Sequence, residues 1–281
     1  MSLLLQNVSY VYEQGTPMEI TGLHPLSLEV KDDEVLAVIG ATGSGKSTLI
    51  QMMNGLNKPS TGNIYYNGED IFAEKYDRRR LRSQVGLVFQ YPEYQLFEET
   101  VLKDVCFGPK NQGLSEEEAI ERARRAMRRV GLTEDYEERS PFDLSGGEKR
   151  RAAIAGVLAM EPKILILDEP TAGLDPEGRE ELLTELLALR RERQMGIVMV
   201  SHSMEDVARM ADRIAVLSHG KLLMQGTPRE IFREESGLLE AGLALPAACH
   251  ILHLLKEKGL PVGTDALSVE EAKEKILAAF S

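Results

Sequence analysis

The stretch Gly40-Ala41-Thr42-Gly43-Ser44-Gly45-Lys46-Ser47-Thr48 constrains this chain more than any other. It follows the apolar run Val35-Leu36-Ala37-Val38-Ile39, which reads as a buried strand. It precedes Leu49-Ile50-Gln51-Met52-Met53, which reads as the start of a helix. The spacing Gly-x-x-x-x-Gly-Lys-Ser is that of a phosphate-binding P-loop. Glycines let the backbone close around an anion. Successive N–H groups then converge at a helix N-terminus, whose dipole favours negative charge. Lys46 is expected to reach the β- and γ-phosphates of a nucleotide, and the Ser47 hydroxyl to ligate Mg²⁺.

A length of 281 residues fits one large domain with a small appendage, and a hydrophobic content of 43% is that of a globular chain. The formal net charge of −12 argues against non-specific nucleic-acid binding. Cys106 and Cys249 lie far apart without metal-ligand spacing, so a reducing compartment is expected. The N-terminal residues have no basic segment followed by a long apolar one, and are not read as a signal peptide. No apolar run approaches the roughly 18 residues of a membrane span. A membrane role is therefore expected to come through a partner.

Leu3 to Tyr10 reads as a first strand, with Tyr12 just past its end, and Leu26 to Val30 as a second. Asn63-Ile64-Tyr65-Tyr66 runs into Asn67-Gly68, a hairpin signal. Val85 to Phe89 reads as a strand ending at Gln90. The region from about 91 to 158 then turns helical, with a capping box at Ser115 and Glu118. It reads as an insert between two parts of an α/β domain. Ile164 to Leu167 and Ile197 to Val200 resume the strands. The tail repeats apolar residues at helical spacing, at Ala248, Ile251, Leu252 and Leu255, and again at Val269, Ala272 and Ile276 after a second capping box at Ser268 and Glu271.

Asp168-Glu169 ends an aliphatic strand downstream of the P-loop, the Walker B arrangement. Asp168 would hold Mg²⁺, and Glu169 is the candidate general base for the attacking water. Leu144-Ser145-Gly146-Gly147-Glu148 places a serine and two glycines before a helix, a second anion-binding N-terminus by the same backbone argument. One chain does not plausibly close both on one phosphate, so two chains packed head-to-tail are expected. Arg150 and Arg151, which follow, are read as solvated.

This set of motifs resembles the nucleotide-binding subunit of an ATP-binding cassette (ABC) transporter over about residues 3–232. The resemblance implies a P-loop NTPase (RecA-like) α/β core, an antiparallel β subdomain, an inserted α-helical subdomain and a small C-terminal helical extension. It implies boundaries at 1–235 for the ATPase domain and 236–281 for the extension, the latter a candidate dimerisation element. By resemblance Tyr12 stacks on adenine, and Gln90 is the Q-loop residue that senses Mg²⁺ and the partner. Asp175 is the D-loop residue at the dimer interface, and His202 is the switch histidine on the γ-phosphate.

A narrower resemblance rests on Gly15-Thr16-Pro17 with Glu19, the run Val88 to Val101, and the tail Leu245-Pro246 to Gly259-Leu260. These are similar to the ATPases of energy-coupling factor (ECF) importers, in particular the second, A-prime type. That implies MgATP hydrolysis driving vitamin or transition-metal import from the cytoplasmic face. The implied partners are a second ATPase chain (a heterodimer favoured, a homodimer the alternative), a membrane-embedded coupling subunit and a substrate-binding membrane subunit. Tyr91 to Phe97, with Leu96 and Phe97 as anchors, is the expected dock for a cytoplasmic helix of the coupling subunit; the alternative is that Leu96 and Phe97 tuck under the helical insert. The alternative is an ATPase of another ABC importer class. A soluble repair ATPase would carry a coiled coil between P-loop and signature, and a kinase or GTPase would lack Leu144 to Glu148.

Overall fold

Aliphatic strands with no polar side are the starting point. Val35–Ile39, Ile164–Asp168 and Gly196–Val200 are buried at every residue. A strand apolar on both faces is stable only when both faces are covered, as in a parallel sheet with layers on each side. The computed structural model, which describes residues 2–280, has that arrangement.

In chain order the elements are β1 (Ser2–Tyr12), β2 (Ile20–Lys31), β3 (Val35–Ile39), α1 (Lys46–Met53), β4 (Thr61–Tyr66), β5 (Glu69–Asp70), α2 (Arg78–Gln84) and β6 (Val85–Val88). The helical region contributes α3 (Val101–Asn111), α4 (Glu116–Arg129) and α5 (Gly146–Leu158). Then follow β7 (Ile164–Asp168), α6 (Pro176–Arg193), β8 (Gly196–Val200), α7 (Met204–Met210), β9 (Arg213–Ser218) and β10 (Lys221–Gly226). The chain closes with α8 (Pro228–Arg233), α9 (Glu235–Glu240), α10 (Ala247–Glu257) and α11 (Val269–Ala279).

One sheet has the order β10-β9-β3-β8-β7-β6, parallel except for β10, and the other has the order β2-β1-β4-β5, antiparallel. One apolar core joins Leu3, Leu5 and Val30 of the antiparallel sheet to Leu36, Ile166 and Val200 of the parallel one. A second core joins the opposite face of the parallel sheet to α3–α7. Because β3 pairs with both β8 and β9, the loops leaving the carboxyl ends of β3, β6, β7 and β8 gather at one edge. That edge is where open α/β sheets bind ligands.

The turn at Asn67-Gly68 has positive φ at both residues, 53° and 83°, as a two-residue hairpin requires. The box at Ser115 and Glu118 forms with both reciprocal hydrogen bonds. At Ser268 only half of the expected box forms. Ser268 Oγ accepts from Glu271 N, but the Glu271 carboxylate takes Leu267 N and Arg229 instead. The first strand runs through Tyr12, two residues beyond the expected end, because Tyr12 pairs with Ile20 of a longer β2. In the tail, α10 and α11 pack mainly on each other around Leu252, Ala266 and Ala272, while Ile251 and Val269 face outward.

Candidate functional site

The P-loop is fastened before any ligand is considered. Ser44 N–H donates to Ala41 O at 3.1 Å, and Ser44 O accepts from Gly220 N at 3.1 Å, tying the loop to the β9–β10 turn. A Cβ on Gly40 would stand 2.3 Å from Leu217 O and 2.4 Å from Ser44 Oγ, so the close approach admits only glycine. Gly45, at φ +102°, caps α1 in a conformation L side chains rarely adopt. Thr42, Gly43 and Ser47 remain exposed on the outer side of the loop. Among the described residues the buried Ser44 hydroxyl has no hydrogen-bond partner.

Lys46 is buried, and its ammonium donates to Gly40 O at 2.8 Å and Ala41 O at 3.0 Å. Burial lowers its pKa, and the charges of Glu169 and Asp168 partly offset that. Ser47 Oγ donates to Asp168 Oδ2 at 3.3 Å. Burial raises the Asp168 carboxyl above its ordinary value, while the Ser47 hydrogen bond and Lys46 act the other way. Tyr12 Oη lies 2.6 Å from Thr48 Oγ1, which sets the ring beside the first turn of α1.

Glu169 occupies the left-handed region at φ 51°, a conformation costing about 1–2 kcal/mol for an L residue. Its N–H donates to Val200 O at 3.0 Å, and the side chain is buried. Burial, with Asp168 and Asp206 nearby, pushes its pKa up to about 7, against the hydrogen bond from His202 and the charge of Lys46. His202 is half exposed, with its Nε2 at 3.4 Å from Glu169 Oε1. Burial, then Lys46, holds the imidazole below its usual pKa, so it is neutral at pH 7.

Lys46, Ser47, Asp168, Glu169 and His202 thus form one group. Gln90 reaches it by another route. Its side chain is exposed, and its main-chain carbonyl accepts from Arg150 at 3.0 Å. Arg150 is not solvated as expected but buried, because its position in α5 faces the apolar side of that helix with Ala153 and Ile154. Arg151 is half-buried, donating to Val130 O and pairing with Glu181 at 2.9 Å.

The second expected anion site lies elsewhere. Ser145 caps α5 in a capping box with Glu148, whose other oxygen accepts from Tyr136 Oη at 2.7 Å. That hydrogen bond, then those from Ser145, holds the Glu148 carboxyl below its ordinary pKa. Ser145, Gly147, Glu148, Tyr136 and Asp175 line one cleft of about 480 Å³, and no P-loop residue lines it among the described residues. Gly146 opens the helix beside it. Asp175 caps α6, accepting from Gly178 N at 2.7 Å.

Sequence reasoning missed Tyr136 and Asp206. Asp206 is buried and accepts from Thr171 Oγ1 and Arg179 Nε, behind Glu169. Tyr136 lies in no recognisable motif. The signal available for Asp206 is the helix-start pattern Ser203-x-x-Asp206, in which Ser203 caps α7 and accepts from Asp206 N.

The chain matches the ABC transporter family model over residues 23–172. It is 53% identical to the energy-coupling factor transporter ATP-binding protein EcfA2 of Caldanaerobacter subterraneus subsp. tengcongensis, over 99% of this chain and 97% of that protein. The chain belongs to the energy-coupling factor transporter ATP-binding protein family. A similar protein from Clostridium tetani is 52% identical over 100% of this chain and 98% of its own. Among solved structures, cbiO1 of Clostridium perfringens, part of the ABC transporter complex cbiONQ, superposes with a TM-score of 0.75 at 39% identity, covering 90% of this chain and 98% of that one. A dimeric ATP-binding cassette in a post-hydrolysis state with ADP and Pi gives a TM-score of 0.72 at 29% identity, covering 80% and 98%. The fold is that of an ABC ATPase, and the chain is an ATP-binding ABC ATPase of the EcfA2 kind.

Proposed function

We propose that this chain is one of two ATPase subunits of an energy-coupling factor importer and hydrolyses MgATP to drive uptake of a vitamin or transition-metal ion. The observation that carries the hydrolytic reading is Glu169, a buried carboxyl at about 7, within reach of His202 and adjoining the Ser47–Asp168 pair. A base with a pKa near ambient pH is ionised often enough to act and basic enough to take a proton.

The residues present fit a nucleotide with Mg²⁺. The loop offers an orphaned Ser44 hydroxyl and a glycine cradle, and Ser47 with Asp168 offers two oxygen donors to a hard cation. Ser47, Asp168 and Gln90 would hold such an ion, which would supply positive charge against the charge developing on the phosphates. The N–H groups of Gly40 to Thr48 would bind phosphate oxygens, Lys46 would exchange its loop carbonyls for them, and Tyr12 would face the base. Glu169 would take the proton of the attacking water while neutral His202 donates to a phosphate oxygen.

Ser145, Gly146, Gly147, Glu148 and Asp175 would complete the nucleotide site of a second ATPase chain, a related but different one being favoured. Their separate cleft supports that two-chain reading. The ATPase unit would span 1–235, with 91–158 as its helical insert, and 236–281 would be an extension. No described helix is long and apolar enough to cross a membrane, so attachment at the cytoplasmic face would run through a membrane-embedded coupling subunit and its substrate-binding partner. Tyr91 and Tyr94, just past Gln90, and the edge-to-face pair Phe97 and Phe107 are exposed and suit the docking of a short helix. Leu96 does not belong to that surface, because it is buried in the core on α3 and α5.

Turnover in the assembled complex tests the chemistry. Glu169→Gln should retain ATP yet lose about a hundredfold or more in kcat. Wild-type hydrolysis by that variant would remove Glu169 as the base.

A further inference from the structure

Arg150 is 5% exposed, and an arginine is almost never so buried unless its donors are matched. Here the two terminal nitrogens are matched by main chain. Nη1 donates to Glu169 O at 3.0 Å and Pro170 O at 3.4 Å, and Nη2 donates to Gln90 O at 3.0 Å. The balancing charge is Glu93, three residues past Gln90, at 3.7 Å from Nη2. The buried Oε2 of Glu93 has no hydrogen bond among the described residues, so it serves as a counter-charge.

These contacts join three segments distant in sequence. Arg150 belongs to α5, the helix that Ser145 caps. Gln90 and Glu93 belong to the loop leaving β6, and Glu169 to the loop leaving β7. The Glu169 backbone is in the left-handed region, and such a conformation persists only where surrounding structure over-determines it. Val200 O holds the N–H of Glu169 from one side, and Arg150 holds its carbonyl from the other.

We propose that Arg150 is a positioning residue for hydrolysis, its guanidinium fixing the Glu169 and Gln90 main chains to each other and to the signature helix. It acts through these main chains, its terminal nitrogens being taken up by their carbonyls. A movement of α5 that carries Ser145 toward the partner's nucleotide therefore also moves the strand ends bearing the base and the Q-loop glutamine. The fork geometry is required, because a lysine keeps the charge but reaches fewer of three carbonyls in different directions. The inference rests on the reading of Glu169 as the base.

The test compares wild type with Arg150→Gln, Arg150→Lys and Glu169→Gln, each in the assembled membrane complex, by ATP titration and nucleotide-binding stoichiometry. Arg150→Gln should lower kcat about ten- to a hundredfold, with KM and bound ATP per complex within about twofold of wild type. Arg150→Lys should recover part of kcat at unchanged KM. If Arg150→Gln does not fold, the kcat loss of Arg150→Lys at full stoichiometry decides. A purely structural role would lower kcat and stoichiometry together, and that result, or unchanged kcat in both variants, overturns the proposal. An active Glu169→Gln would instead overturn the base assignment, so the two failures are distinguishable.

Discussion

His202 addresses both oxygens of Glu169. Its main-chain N–H donates to Oε2 at 3.3 Å, and its ring Nε2 stands 3.4 Å from Oε1. The carboxyl sits near 7 because it is buried, and the imidazole is kept neutral by the same burial. A general base works only when ionised, and the ionised fraction grows as pH rises through about 7. The kcat/KM for ATP should therefore climb along an acidic limb centred near that pH, since this quantity reports the free enzyme. A pH–rate profile of the assembled complex checks it, and a flat profile from pH 6 to 8 would rule it out.

The stability effect of the same carboxyl has the opposite sign. Between an ordinary glutamate value of about 4.3 and the folded value, the folded state binds the proton more tightly than the unfolded state does. Native stability is thus favoured at low pH and eroded as pH rises toward about 7. Glu169→Gln removes that erosion. Its melting temperature relative to wild type should increase from pH 5 to pH 8, a difference read by thermal unfolding of the isolated chain.

The separation of Ser145 from the P-loop predicts which nucleotide each residue serves. Lys46→Ala should empty this chain's own P-loop, while Ser145→Ala should leave it filled and slow hydrolysis at the partner's. Photo-crosslinking of labelled ATP to each subunit distinguishes the two. Loss of label on this chain in Ser145→Ala would contradict the two-chain reading.

Phe97 and Leu96 are neighbours with opposite fates. Leu96→Ala should cost about 2–5 kcal/mol of stability by opening a cavity. Phe97→Asp should leave the melting temperature nearly unchanged, because the ring is 56% exposed and its edge-to-face neighbour Phe107 is itself half exposed. It should nevertheless reduce co-purification of the coupling subunit. Normal recovery of the complex with Phe97→Asp and Phe107→Asp together would move the dock elsewhere.

Asp265 accepts from Lys275 at 2.6 Å and Arg233 at 2.7 Å, tying α11 and α8 to one carboxylate. Lys275 first, then Arg233, holds its pKa well below the usual carboxylate range. The associated order is present above an ordinary aspartate value of about 4 and is lost as pH falls toward the depressed value. Asp265→Asn should speed hydrogen exchange over residues 269–279 at neutral pH. Wild-type protection in that variant would show that the apolar contacts around Leu252 suffice.

The readable parts of the chain were those where local chemistry and fold agree. Gly40 to Thr48 announces its backbone through glycine spacing, and Ile164 to Leu167 announces a two-sided burial through the lack of any polar residue. Arg150 reads as solvated in sequence because a charge beside a helix start usually points to water, whereas its partners are carbonyls at Gln90, Glu169 and Pro170, distant in sequence. Main-chain acceptors leave no mark in side-chain pattern. Its spacing to Ala153 and Ile154, three and four residues on, carried the signal for a buried face. Leu96 was misread for a related reason. A loop with four large side chains gives no period by which to sort the inward from the outward ones.

The contact of Lys46 with Gly40 O and Ala41 O changes what a substitution of the lysine measures. The lysine acts as a pin through its own loop, tying the first two residues of the turn to the start of α1. A side chain at this position therefore has a role in the loop's own geometry as well as the one proposed for it toward phosphate. Lys46→Ala should remove both, so a loss of binding in that variant would combine a missing phosphate contact with a loop that has lost its internal strut.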